Sequence, residues 1–201
     1  LQLAVDISLP VTFSAYLGRA NICYQWNELN TARQYGEKSL TLARQLENLD
    51  FFISCELFLV LLKLAQGDIS GATTALAEID ASVQQHNFVN RIPELVAAQV
   101  STLILQGKPE TASILVAQHE HPISQARVHL AMGDIKPALA ILAGQYQQAE
   151  KEERLDQQLR ILILQSIACH IHGEQDTAQQ LLRDALAQAE PGGYIRLFVD
   201  E

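Results

Sequence analysis

The residues best suited to chemistry are two closely spaced histidine pairs and a cysteine next to one of them. The histidines form the pairs His119-x-His121 and His170-x-His172. A zinc site needs converging ligands, but residues two apart on a helix point about 200° apart, and no further ligand stands at suitable spacing. Cys169 and His170 are adjacent, so their side chains also diverge and cannot pair as nucleophile and base. The sequence therefore predicts neither a metal site nor an enzyme.

Composition narrows the possible functions further. The 201 residues are 48% hydrophobic, enough for a sizeable core, and the formal net charge is −9. Charged residues interrupt the apolar runs, so we expect no membrane span. No clustered basic face is visible, so we do not expect this region to bind DNA itself. Cys23, Cys55 and Cys169 lack paired spacing and predict buried, reduced thiols in a cytoplasmic chain.

An internal repeat organises the elements that would position any site. Five sites share a small or polar residue, a polar partner, and an alanine five positions after the first residue. The sites are Asn27-Glu28…Ala32, Gly67-Asp68…Ala72, Gly107-Lys108…Ala112, Gly133-Asp134…Ala138 and Gly173-Glu174…Ala178. Their first residues are spaced 40, 40, 26 and 40 apart. Apolar residues at helical spacing flank each site, so the repeating unit is helix, tight turn, helix.

The residue types at these turns indicate how each helix ends and the next begins. Glycine supplies the left-handed conformation that ends the first helix, and Asp68 or Asp134 can cap the second. Pro109 and Pro137 fall in the first turn of a second helix, where a missing N–H costs little. The repeated alanine is expected where two helices cross closely.

The repeat predicts an all-α fold over residues 1–190, a right-handed α-solenoid of about five antiparallel helix pairs that forms a tetratricopeptide-like superhelix. Forty residues allow two helices of about 16 to 18 residues each. Pro122 marks the start of a shortened helix within the 26-residue interval. We expect residues 1–10 to be a helix tail and a linker ending at Pro10. The polar run 147–158 is expected to be a solvated corner.

The closing segment, residues 191–201, predicts the start of a further helix. Pro191 and the following glycines stop the preceding helix. Tyr194 and Phe198 are four residues apart, as are Ile195 and Val199, which indicates a new helix with an apolar side. The segment ends in mid-element and the chain begins without methionine, so we expect it to be a piece of a longer protein.

Four stretches resemble one known family. The closing sequence Ala-Glu-Pro-Gly-Gly-Tyr-Ile-Arg-Leu-Phe-Val-Asp-Glu, residues 189–201, closely resembles the end of the helical sensor region of MalT-like, LuxR-type transcription regulators. The Tyr-Gln-Trp-Asn-Glu-Leu turn at 24–29, the arginine-containing helix at 126–133 and the helix at 160–168 are also similar to that family. Gln25 stands where the family often has an acid, and the paired glycines 192–193 are a second departure.

The resemblance implies a larger regulator. It implies an ATP-binding module upstream and a DNA-binding helix-turn-helix domain downstream, with DNA contacted only through that domain. This piece would hold no cofactor of its own. Its partner would be a small-molecule inducer or a regulatory protein, and the resemblance also implies self-association in the active state.

A solenoid of this class uses its concave face for binding, lined by the first helix of each pair. The inward-facing positions of a tetratricopeptide repeat can be mapped onto this chain by aligning them with each turn. They predict ligand- or partner-binding residues at Asn21, Tyr24, Gln25, Ser101, Arg127, Arg160 and His170. The same register gives Leu57, Leu61 and Leu64, for which packing against the next repeat is favoured. For Arg127 and Arg160, binding and packing remain open.

Two functions fit these observations. The first is the effector-sensing region of a MalT-like regulator, in which binding in the groove shifts the whole protein between an inactive and an active state. The second is a passive protein-interaction scaffold of tetratricopeptide type. A helix-turn-helix following residue 201 would discriminate between them.

Overall fold

Helices account for nearly the whole chain. The structure is a computed structural model that describes residues 2–201, with side chains from residue 9 onward. The described residues contain no strand. The helices are α1 Gln2–Gln25, α2 Leu29–Gln45, α3 Leu49–Ala65, α4 Ile69–His86, α5 Ile92–Leu105, α6 Pro109–Ala117, α7 Pro122–Met132, α8 Ile135–Lys151, α9 Leu155–His172, α10 Gln175–Ala189 and α11 Arg196–Val199. Two 3-10 turns, Val89–Arg91 and Glu190–Gly192, complete the elements. The all-α, tetratricopeptide-like class is therefore confirmed.

Each of the five predicted turns separates two helices through one residue in the left-handed region. Gly67, Gly107, Gly133 and Gly173 have φ values of 77°, 70°, 83° and 90°. Asn27 takes the same conformation at 61° without being a glycine. Asparagine tolerates this region better than most side chains, which explains why the first turn of the repeat can lack a glycine.

Only one of the two predicted aspartate caps forms. Asp68 precedes α4 and accepts a hydrogen bond from the backbone N–H of Gly71 at 2.9 Å. Asp134 makes no such bond before α8, so that prediction was wrong. The reason is Pro137, which occupies the position equivalent to Gly71 and has no N–H to donate. The Asp134 carboxylate instead lies 3.6 Å from Nδ1 of His129.

Five helices have the lengths that a 40-residue spacing requires, at 17 or 18 residues each. These are α2, α3, α4, α8 and α9. Within the 26-residue interval both helices are short. α6 has 9 residues, and α7, which begins at Pro122 as predicted, has 11. The shortening is thus divided between two helices.

The first of two compact units, Leu1–Thr102, packs α1 against α2, α2 against α3 and α3 against α4. Its core includes Phe13, Ala32, Phe58 and Val60. The predicted linker ending at Pro10 is wrong, because α1 continues through this proline to Gln25. The proline removes one backbone donor and crowds the preceding turn, and the packing of α1 against α2 offsets this cost.

The second unit, Leu103–Glu201, packs α6 against α7, α7 against α8, α8 against α9 and α9 against α10. The closing segment belongs to this unit. Leu197 is buried in a cluster with Leu159, Leu162 and Ala185, and Tyr194 and Phe198 pack against the same cluster. Ile195 and Val199 remain 48% and 59% exposed. The predicted apolar side of the closing helix is therefore divided, with one half buried on α9 and one half facing solvent.

The repeated alanines are buried in both units. All five, Ala32, Ala72, Ala112, Ala138 and Ala178, are buried. The three cysteines are also buried and free, as predicted. In the described part of the chain, no helix combines the length and the hydropathy needed to cross a bilayer.

Candidate functional site

Two arginines of the second unit converge on one carboxylate of the closing segment. Arg127 lies on α7 between the buried residues Ala126 and Val128. Arg160 lies on α9 between the buried residues Leu159 and Ile161. Packing on both sides of each arginine fixes the helix that carries it, so the two guanidinium groups start from rigid elements. We call the site formed by Arg127 and Arg160 the arginine pocket.

Glu201 fills the arginine pocket with both of its carboxylate oxygens. Nε of Arg127 donates to Oε2 at 2.9 Å, and the Arg127 Nη2 group donates to Oε1. Nη1 of Arg160 donates to the same Oε1 at 3.1 Å. The Arg127 contact is therefore the bidentate fork that matches a planar oxyanion, and Arg160 adds a third donor.

The pocket is only partly closed. The side chain of Glu201 is 4% exposed, whereas those of Arg127 and Arg160 are 16% and 34% exposed. The carboxylate is thus removed from water while the arginines around it still meet solvent. This arrangement stabilises a bound anion through charge-assisted hydrogen bonds in a partly desolvated setting.

Like charges lie close together in the pocket. Burial and the charge of Arg127 lower the pKa of Arg160 below its ordinary value, and the carboxylates of Glu201 and Asp200 oppose this effect. Burial and the same Arg127 charge lower the pKa of His121. Since an arginine guanidinium stays charged in proteins, the lowered pKa indicates that burial first, and the neighbouring positive charge second, make this position unfavourable for Arg160, and a bound anion offsets both.

The closing segment is held in place by contacts next to the pocket. The guanidinium of Arg196 is nearly buried and donates to Asp200, one helical turn further along. Together with buried Leu197, this ion pair orders the four-residue α11 that presents Glu201.

The other predicted residue of the second unit lies elsewhere on α9. His170 is exposed, and its Nδ1 is 3.0 Å from Oε1 of Gln175. Ten residues separate it from Arg160, which is about 15 Å along a helix axis. His170 therefore does not join the arginine pocket.

The predicted residues of the first unit have different surroundings. Asn21 is exposed and donates from Nδ2 to the carbonyl oxygen of Leu17 at 2.9 Å. Tyr24 is buried, with its ring edge-on to Phe58, so it is a core residue rather than an open wall. Gln25 is half-buried, and its Oε1 has no hydrogen-bond partner among the described residues. Ser101 is half-buried.

The leucines of the same register divide between core and surface. Leu57 is buried and Leu64 packs against the same core cluster, which agrees with the packing interpretation. Leu61 is more than one third exposed. Within the described residues, no group of three metal-ligating side chains is placed to hold an ion.

Sequence reasoning missed Glu201 as a member of the site. It stands 74 residues from Arg127, and no spacing or motif connects the two positions. The available signal was indirect, because the closing segment ends with two acidic residues and both arginines were already candidates.

These observations define a helical-repeat region of tetratricopeptide type that carries an anion-holding pocket. Comparison with protein families then identifies the chain, which belongs to the family of MalT-like TPR regions over residues 1–201. This family suggests a regulatory protein-interaction region. Comparison with curated proteins gives no significant match.

Proposed function

We propose that this chain is the effector-sensing region of a MalT-like, LuxR-type transcription regulator. It binds a small-molecule inducer or a regulatory protein on the surface around Arg127 and Arg160, and this binding is coupled to activation. In the longer protein, an upstream module binds ATP and a downstream domain binds DNA. Membership in the MalT-like TPR family supports the regulatory part of this proposal.

The observation that carries the coupling is the contact of both arginines with Glu201. A ligand that engages the arginines changes the partners of the closing segment, and this segment leads towards the DNA-binding domain that the family resemblance implies. Binding shifts the equilibrium between states only through a difference in affinity for them. Competition for the same guanidinium groups supplies such a difference.

A thermal-shift screen of the 201-residue chain tests the proposal, using sugars, amino acids, nucleotides and short peptides as probes. A ligand at 100 times its dissociation constant adds about 2.7 kcal/mol when it binds only the folded state, which raises the melting temperature by several degrees. The variants Arg127→Met and Arg160→Met should abolish a selective shift. Arg183→Met, which alters an exposed arginine of α10, should leave it unchanged.

A selective shift that survives both arginine variants would place binding elsewhere and contradict the proposed surface. If no probe shifts the melting temperature, a regulatory protein or a passive scaffold becomes the better account than a small-molecule inducer, and capture of a protein partner by the chain is the next test. Sequence downstream of Glu201 discriminates independently. A helix-turn-helix there supports the regulator, and its absence from the longer protein contradicts it.

A further inference from the structure

We propose that the arginine pocket is a receptor for an oxyanion of a soluble ligand, a carboxylate or a phosphate, and that Glu201 occupies it when the ligand is absent. This inference deepens the proposed function, on which it rests, by naming the chemical class of the effector. Three observations support it, concerning the donors, the occupant and the access from solvent.

The donors of the pocket are arranged for a planar or tetrahedral oxyanion. Arg127 offers Nε and Nη2 side by side to two oxygens, and Arg160 offers Nη1 to one of them. A carboxylate accepts from all three donors, as Glu201 does. A phosphate presents a similar pair of oxygens and has at least one further oxygen. A neutral sugar or amide offers no charge to offset the two guanidinium groups.

The occupant is held by a short and separable element. α11 has four residues, which is far below the length at which an isolated helix is stable in water. It is anchored by buried Leu197 and Arg196 and by Phe198, which packs against the α9 cluster, while Ile195 and Val199 face solvent. An external anion therefore competes with a tethered side chain whose supporting segment has little stability of its own.

Part of the Arg160 side chain meets solvent. About one third of the Arg160 side chain is exposed, at 34%, beside a carboxylate that is itself only 4% exposed. An incoming anion can meet Arg160 first and then replace Glu201 on Arg127. Burial and the charge of Arg127 lower the pKa of Arg160, and the Glu201 carboxylate opposes this effect, so an anion in the pocket stabilises the charged guanidinium.

Calorimetric titration of the full 201-residue chain tests the proposal with inorganic phosphate and succinate as probes, at constant ionic strength and with chloride as the reference anion. The variant Glu201→Gln keeps the shape of the side chain and removes its charge. It should bind at least one probe about 10-fold or more tightly than the natural chain, because an internal competitor has been removed. The stronger of the two probes identifies the oxyanion as phosphate or carboxylate.

Three further variants define the result. Glu201→Asp, which retains the charge on a shorter side chain, should give an intermediate affinity. The double variant Glu201→Gln with Arg127→Met should lose binding, and Glu150→Gln, at an exposed position of α8, should bind like the natural chain. Circular dichroism establishes that each variant is folded.

Binding of neither probe to folded Glu201→Gln, or equal binding to this variant and the natural chain, would overturn the proposal. The outcome is separable from that of the proposed function. If the thermal-shift screen finds a selective ligand that requires Arg127, but calorimetry detects no anion binding, only the proposal of an oxyanion ligand is refuted. Anion binding as predicted, with a helix-turn-helix absent after Glu201 in the longer protein, would refute only the regulator.

Discussion

Asp50 and Arg91 join the two ends of one helix pair through two parallel hydrogen bonds. Nε and Nη2 of Arg91 each donate to a different Asp50 oxygen at 2.7 Å, across 41 residues of sequence. Asp50 lies in the first turn of α3, and Arg91 lies in the 3-10 turn that follows α4. Nη1 of Arg91 also donates to Glu94 at 3.0 Å. The pair therefore connects the start of α3 to the loop after α4.

The Asp50 pair predicts a pH dependence of stability. Its hydrogen bonds to Arg91 lower the pKa of Asp50 in the folded chain. The stabilisation is complete above the unfolded pKa of about 3.9 and is lost as the pH falls through the lower folded pKa. Asp50→Asn should therefore cost about 1 kcal/mol near pH 7, a value limited by solvent screening, and progressively less below about pH 4. Urea unfolding at several pH values measures this, and a cost independent of pH would contradict it.

Two glycines of the second unit should respond oppositely to alanine. Gly173 has a φ of 90°, and a Cβ there would meet nothing within 4 Å, so Gly173→Ala costs only backbone strain, about 1 kcal/mol. Gly144 lies inside α8, where a Cβ also has open space. Gly144→Ala should stabilise the chain by about 0.5–1 kcal/mol. Denaturant unfolding measures both, and equal signs would contradict the assignment of the turn.

Enlarging a repeated alanine should separate the helices that meet there. Ala138 is fully buried near the start of α8, whereas Ala140 on the same helix is exposed. Ala138→Leu should destabilise the chain by about 1–3 kcal/mol through overpacking. Ala140→Leu is the matched control and should have little effect. Similar melting temperatures for the two variants would show that Ala138 is not at a close crossing.

The three thiols should be unreactive while the chain is folded. Cys23, Cys55 and Cys169 are buried, and burial is the largest cause that raises the pKa of each thiol. Because the thiolate is the reactive form, labelling with a disulfide reagent at pH 8 should require opening of the structure. Guanidinium chloride should make all three thiols available to the reagent, and rapid labelling of any thiol in the native chain would contradict the burial.

The sequence was sufficient for the parts of the fold that depend on local chemistry. The turn at Asn27 and the four glycine turns were located because the left-handed conformation restricts which residues can stand there. The start of α7 followed from Pro122, whose fixed φ suits a first helical residue. Such rules involve neighbouring residues only, so they can be read along the chain.

Features that depend on packing or on distant partners are harder to predict from the sequence. Pro10 signals a break, but the packing of α1 on α2 maintains the helix through it. Asp134 signals a cap, but Pro137 removes the donor. Register drew attention to Arg127 and Arg160, which the structure brings together, and their role in binding stays a prediction. Glu201 joins them only through the fold of the closing segment. The handedness of the solenoid and the groove formed by all seven candidates stay predictions.

Energetic coupling between the arginine pocket and the closing segment is tested most directly by hydrogen exchange. The amides of Val199 and Asp200 donate to the carbonyl oxygens of Ile195 and Arg196, at the two ends of α11. Arg127→Met removes a bidentate charge-assisted contact of about 1.5–3 kcal/mol, so exchange in residues 197–201 should accelerate by about 10- to 100-fold. Arg183→Met should leave it unchanged. Equal protection of this segment in the natural chain and in Arg127→Met would contradict the account.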